Sequence, residues 1–147
     1  MAQGAKCKVQ SAEYMAESAE REMMDAKPGK GLEVRTKRFA LQVIELFSTL
    51  PQSPVAQVLG RQLLRSGTSV GAQYREAMRG KSLADFISKM EGSLQEIEET
   101  RYWLELLLES GTLSGERITP VKKEADELVA MFVASVRTAK RNKSKVA

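Results

Sequence analysis

The 147-residue sequence has no histidine, a single cysteine, a single tryptophan and four prolines, and aromatic residues make up only 5% of it. Without histidine, the commonest general base and the commonest zinc ligand are gone, together with the Glu-x-x-His element of di-iron helical bundles. Cys7 stands alone in an N-terminal stretch, which excludes an intramolecular disulfide and argues against a metal cluster. No uninterrupted apolar run approaches the roughly 20 residues of a membrane span. Lys6 and Lys8 are not followed by the apolar segment of a secretory leader. These absences point to a cytoplasmic protein with no membrane segment, no metal and no cofactor, in which enzymatic chemistry by standard means is hard to assemble.

What is present is enough for one domain with a real core. The net charge of +4 is modest, but its distribution is uneven. Residues 32–80 carry seven positive and three negative charges, residues 81–111 carry three and seven, and residues 137–147 carry five and none. Such segregation fits either helices that pair across subunits or a basic surface that meets a polyanion.

Apolar residues recur at helical spacing and no strand pattern competes with them. Residues 1–31 read as an appended arm, in which Ser11–Ala26 can form a helix with a thin apolar edge of Tyr14, Met15, Ala19 and Met23; Lys27-Pro-Gly-Lys-Gly31 ends it. A first helix is expected from about Glu33 to Leu50, with Phe39, Val43, Leu46, Phe47 and Leu50 on one face and Pro51 as its stop. Ser53 caps the second, Pro54 takes its first position and Gly80 closes it. Ser82 caps the third, with Asp85 favouring its positive end, and Gly111 ends it. Thr119 and Pro120 are expected to open the fourth, whose inner stripe is Val121, Ala125, Leu128, Phe132, Ser135 and Ala139, with Val129 and Val136 beside it. Short connections then give an all-α, antiparallel up-and-down four-helix bundle over residues 32–141, followed by a basic tail at 142–147.

The second helix organises the rest. Wound at 3.6 residues per turn, its stretch Leu59–Arg79 shows three faces. Leu59, Leu63, Val70, Tyr74 and Ala77, with Ser66 among them, make a core stripe. Arg61, Arg65, Arg75 and Arg79 collect opposite. Gly60, Gly67 and Gly71 form a flank that lets another backbone come close, so this helix is expected to be sandwiched, with Gly67 and Gly71 as candidates for a subunit interface.

In the third helix, Leu83, Phe86, Ile87, Met90, Leu94, Ile97, Leu104 and Leu108 define a core seam. Arg101 falls in it, with Glu98 and Glu105 close enough to pair with it, and because burial unpaired is costly a satisfied network at the seam's edge is expected. Trp103, Leu106 and Leu107 point to the back, and leaving such a cluster in water forgoes a few kcal/mol per large side chain. A subunit is the expected cover, the alternative being a centrally buried helix. Lys140 and Arg141 belong to a run of cations that suits a helix C-terminus and can also reach phosphates; plain solubility is the bland alternative for both the run and the arginine face.

Several segments together resemble the bacterial four helix bundle family, also called the 23S rRNA-intervening sequence protein family. They are Phe39 with Val43-Ile-Glu-Leu46; Leu59-Gly-Arg-Gln-Leu-Leu-Arg-Ser-Gly-Thr-Ser-Val-Gly-Ala72 with Tyr74-Arg-Glu-Ala77; Asp85-Phe-Ile-Ser-Lys-Met90; and Glu98-Glu-Thr-Arg-Tyr-Trp-Leu-Glu-Leu-Leu107. The resemblance covers roughly Leu32 to Lys140. It departs at Gln73, where the family often has Asn, and leaves the arm out. It implies an antiparallel bundle that assembles as a homopentamer, some members being encoded inside inserts of large-subunit ribosomal RNA genes. The accessory variability protein of diversity-generating retroelements is similar to this family; it is a basic pentamer that binds nucleic acid and a reverse transcriptase. No catalytic residues carry over.

Residues and resemblance together give a non-enzymatic homo-oligomer that binds RNA or DNA through Arg61, Arg65, Arg75, Arg79, Lys140 and Arg141, with a reverse transcriptase as a further partner. Trp103, Leu106, Leu107, Gly67 and Gly71 make its subunit contacts. The alternative is a protein-interaction scaffold, in which the arginines face Glu91, Glu98, Glu105 and Glu109 of a neighbouring subunit and nucleic acid is incidental. A hydrolase or nuclease is a distant third, because the adjacent carboxylates of Glu98 and Glu99 diverge on a helix.

Overall fold

Breaks in the helical pattern fall where proline, glycine and the capping serines sit, and they leave four helices. The computed structural model describes residues 30–146 and forms α1 (Lys30–Ser48), α2 (Pro54–Met78), α3 (Leu83–Glu109) and α4 (Gly115–Val146). Ser53 accepts a hydrogen bond from the Ala56 amide at 3.3 Å, with Pro54 next to it at the first helical position, where its missing N–H costs nothing. Ser82 accepts from the Asp85 amide at 3.0 Å, and the Asp85 carboxylate accepts in return from the Lys81 amide at 3.2 Å. This reciprocal pairing satisfies two amides at the start of α3. Gly111 takes the left-handed conformation, φ +71°, that lets the chain turn away after α3.

The helices pack in chain order around a square, each antiparallel to the next, which is the all-α four-helix bundle expected from periodicity. The seam between α2 and α3 is the most extensive and that between α1 and α4 the slightest. Phe39 and Val43, Leu63 and Val70, Met90 and Ile97, and Leu128 and Phe132 are buried contributions of the four helices in turn. Tyr74 of α2 meets Phe132 of α4 edge to face across the diagonal, with ring centroids 5.9 Å apart. No helix of the described residues is long and apolar enough to cross a membrane.

Helix α2 is sandwiched, and its two flanks use different devices. Toward α1, a Cβ on Gly67 would lie 2.7 and 2.8 Å from the two γ-methyls of Val43, and one on Gly71 would lie 3.2 Å from Thr36 Oγ1. The glycine flank is therefore filled by α1 of the same chain. This corrects the expectation that Gly67 and Gly71 meet another subunit. Toward α3, hydroxyls replace methyls: Thr100 Oγ1 lies 2.8 Å from Ser66 Oγ, and Ser93 donates to the Val70 carbonyl at 3.1 Å. These small polar side chains are buried and bonded, as burial of hydroxyls requires.

The same hydroxyls displace the α3 seam from where leucines alone would set it. Its buried positions run Ile87, Met90, Ser93, Ile97, Thr100, Leu104 and Leu107. Leu107 is 0% exposed whereas Leu108 is 37% exposed, so the expected roles of these two leucines are exchanged; Leu83 also stays exposed. Thr100, and not Arg101, occupies the seam. Arg101 sits at its edge, 3.1 Å from Glu98, and its Nε lies 2.9 Å from Asp126 without aligning as a hydrogen bond. Glu105 turns to Lys122 at 3.8 Å.

Helix α4 starts at Gly115, five residues before Pro120, because the amides of Arg117 and Ile118 already bond to the Ser114 carbonyl at 3.2 and 3.3 Å. Ile118, in that first turn, is almost fully buried, and its burial favours the early start. Pro120 is thus inside the helix. Val136 is buried where Ser135 was expected, and the basic residues after 141 continue α4 rather than leaving it. The segment Ser11–Ala26 and Cys7 lie outside the described residues.

Gly67→Ala is expected to destabilise the fold by about 1–2 kcal/mol, since overpacking against stiff, β-branched Val43 outweighs the gain in helix propensity. Gly60→Ala, whose Cβ would meet the rotatable end of Leu50 and lie 3.1 and 3.2 Å from the Phe47 ring, is expected to cost less than Gly67→Ala, since the Leu50 end can turn aside where Val43 cannot. Urea midpoints followed by far-ultraviolet circular dichroism check the contrast.

Candidate nucleic-acid and subunit surfaces

The alternating helix directions bring the end of α2, the start of α3 and the end of α4 to one end of the bundle. Arg75, Arg79 and Lys81 arrive there from α2 and its following turn, and Arg137, Lys140, Arg141, Lys143 and Lys145 from the last turns of α4. Two of the expected binding sets, Arg75 with Arg79 and Lys140 with Arg141, are therefore brought to the same end. Arg61 and Arg65 are not. Arg61 shares their helix face but sits 18 residues before Arg79, about 27 Å along the axis.

Partners divide these cations further. Arg75 lies 3.6 Å from Glu33, and Lys140 lies 2.5 Å from Glu91. Arg79, Arg137, Arg141, Lys143 and Lys145 are exposed and have no ion pair among the described residues; the same holds for Arg61. Arg65 is committed to its own chain, 3.4 Å from Glu96 and hydrogen-bonded to Glu99. That bond is the main reason the Glu99 carboxyl is held below the usual glutamate range and Arg65 above the usual arginine value. Of the four acids expected to face a neighbour's arginines, Glu91, Glu98 and Glu105 pair with Lys140, Arg101 and Lys122 of the same chain.

The back of α3 is smaller than expected, with Leu107 in the core. Trp103 is half-buried against the core, donates its indole N–H to Glu99 at 3.1 Å and has the Tyr102 ring 5.1 Å away. Leu106 is half-buried and Tyr102 exposed. Sequence reasoning missed the neighbours of this patch. Val55 and Val58 of α2 are 58% and 61% exposed. Val58 lies seven residues before Arg65 and Leu106 seven after Glu99, so both sit on the faces that the Arg65–Glu99 pair joins. The outer groove between α2 and α3 thus passes from an ion pair to an apolar patch of Val58, Trp103 and Leu106. An i, i+3 valine pair outside the core stripe was the signal available in the sequence.

A second missed feature ties α1 to α4. Arg35 donates to both oxygens of Glu124 at 2.8 and 2.9 Å and to Glu127 at 2.6 Å, and its remaining nitrogen lies 3.0 Å from Met131 Sδ. Those carboxylates, with Glu124 contributing most, raise the Arg35 pKa. The chemistry within reach of the exposed cations is phosphate binding by guanidinium and ammonium groups, which positions a polyanion without reading its sequence.

The family model described as 23S rRNA-intervening sequence protein matches residues 33–134. Among solved structures, the chain is similar to a protein of unknown function from the S23 ribosomal protein family of Bacteroides thetaiotaomicron. The two are 33% identical, with a TM-score of 0.68 over 72% of this chain and 95% of that one. No curated protein matches.

Because the indole bonds to Glu99, emission from the sole tryptophan is expected to report that carboxyl. Above its lowered pKa Glu99 is charged and holds Arg65; as pH falls through that value it protonates, and the stabilisation present above the unfolded-state pKa is lost. A fluorescence transition below the usual glutamate range, absent in Glu99→Gln, is the expected result.

Proposed function

The chain belongs to the 23S rRNA-intervening sequence protein family, and from that premise we propose a non-enzymatic homo-oligomer, pentameric as the resemblance implies, that binds RNA or DNA phosphates through the basic end of its bundle. The observation that carries this reading is the convergence of Arg79 with Arg137, Arg141, Lys143 and Lys145, none of them neutralised by an ion pair among the described residues. Closed symmetry would repeat that charge around an axis and raise the local field. The apolar patch of exposed Val58 with half-buried Trp103 and Leu106 supports assembly, since apolar surface left open to water favours a cover. A reverse transcriptase is the protein partner suggested by the resemblance to retroelement accessory proteins, and co-purification with one tests it.

The scaffold reading draws less support, because Arg65 and three of the four acids it needs are already paired within the chain. Arg61, Arg79 and Glu109 remain for it.

Fluorescence anisotropy with labelled mixed-sequence RNA and DNA tests the main reading. Binding is expected to show little sequence preference and to weaken steeply with salt. Replacing Arg79, Arg137, Arg141 and Lys143 by Ala should flatten the salt dependence by roughly one unit of slope for each phosphate that is no longer neutralised. Absence of binding at low salt, or binding unchanged by these replacements, would overturn it. For the assembly, Val58→Glu with Leu106→Glu is expected to shift sedimentation to the monomer while helix content is kept. A wild-type monomer at micromolar concentration would remove this half of the proposal.

A further inference from the structure

Helix α4 outruns the described part of α1. Arg35 meets Glu124, Glu127 and Met131, and the described part of α1 extends five residues further back, to Lys30. Helix α4 continues 15 residues past Met131, about 22 Å. Ala134, Ser135, Thr138 and Asn142 follow Met131 at spacings of three and four, so they prolong the flank that faces Arg35. Beyond the reach of α1, that flank and the start of α3, Leu83 and Phe86, enclose an open groove of about 410 Å³. Its wall is apolar on the α3 side and small on the α4 side, and cations of the α4 end with no ion pair among the described residues, Arg141 and Lys145, stand beside it.

The segment that precedes α1 joins the described chain at Lys30, on the end of the bundle where this groove lies. It has 29 residues before Lys30. Within it, Ser11–Ala26 carries Glu13, Glu17, Glu20, Glu22 and Asp25 against Arg21 alone, beside the apolar residues Tyr14, Met15, Ala19 and Met23. Sixteen residues in helical form would span about 24 Å, enough to line the roughly 15 Å of α4 that extends past the level of Lys30. Apolar side chains for Leu83 and Phe86 and carboxylates for the α4 cations are thus supplied by the same stretch, at the distance the chain connection sets.

We propose that residues 11–26 of the same chain occupy the groove between the start of α3 and the end of α4, and that this acidic arm competes with nucleic acid for the basic end. The competition rests on the nucleic-acid reading above; the docking does not. A ligand that displaces the arm gains only the difference between the two interactions, so the arm sets a threshold for binding.

The full chain carrying Cys7→Ser, Met23→Cys and Thr138→Cys, with Ala19→Cys in place of Met23→Cys as a second register, tests the docking by a short bis-maleimide and peptide mass spectrometry. An intrachain link is the expected result. A link only between chains would replace the occupant by a second copy, and no link in either register would overturn the docking. Competition is read with a short labelled mixed-sequence RNA: Glu13→Gln, Glu17→Gln and Glu20→Gln together are expected to tighten binding about tenfold at low salt and less at high salt. Unchanged affinity with the link intact would overturn the competition, and no RNA binding by either form would overturn the nucleic-acid reading, leaving the link to decide the docking.

Discussion

Everything in this bundle is arranged around the closeness of α2 to both of its neighbours. One side of α2 is bare backbone at Gly67, with the methyls of Val43 set against it. The other side is hydroxyl, with Ser66 close to Thr100 and Ser93 bonded to a carbonyl of α2. Larger residues on either side would push a helix outward and open the core to water, and interiors packed near crystal density do not absorb such shifts. The diagonal contact of Tyr74 with Phe132 depends on it too, because two rings reach across the square only when its sides are short.

That geometry also decides where charge goes. Outside the patch around Val58 and Trp103, charged groups line the outward faces of α2 and α3, and the antiparallel order sorts them by end. Acids of α3 find cations on α2, α4 or their own helix, while the cations at the ends of α2 and α4 outnumber the acids near them. An arginine such as Arg65, fixed between Glu96 and Glu99, has given up most of its capacity to greet a phosphate; Arg79 has given up none of it to an ion pair among the described residues.

Much of this was legible in the order of residues alone. Periodicity pointed to four helices, and the cap residues Ser53 and Ser82 act as such because their spacing to Pro54 and Asp85 leaves few alternatives. Errors arose where polarity and burial part company. Thr100 and Ser93 look like surface residues until a partner helix with Ser66 and Gly67 comes near, and they moved the seam so that Leu107 turned inward and Leu108 outward. Pro120 looks like a helix start, but burial of Ile118 extends the helix ahead of it. The candidate site was legible only in part: four arginines share a face by arithmetic, whereas their separation along the axis and their partners depend on packing that sequence does not carry. Val55 and Val58 escaped because a pair of valines beside a core stripe looks like its margin.

The slight seam between α1 and α4 gives the bundle a preferred line of weakness. Its other three seams are more extensive; among the described residues the hydrogen bonds that cross the fourth come from Arg35. Local opening follows the least-bonded boundary, so the molecule is expected to part there first, as a folded screen parts at its free edges. Anything that must be threaded into or withdrawn from the interior has its natural entrance along that edge.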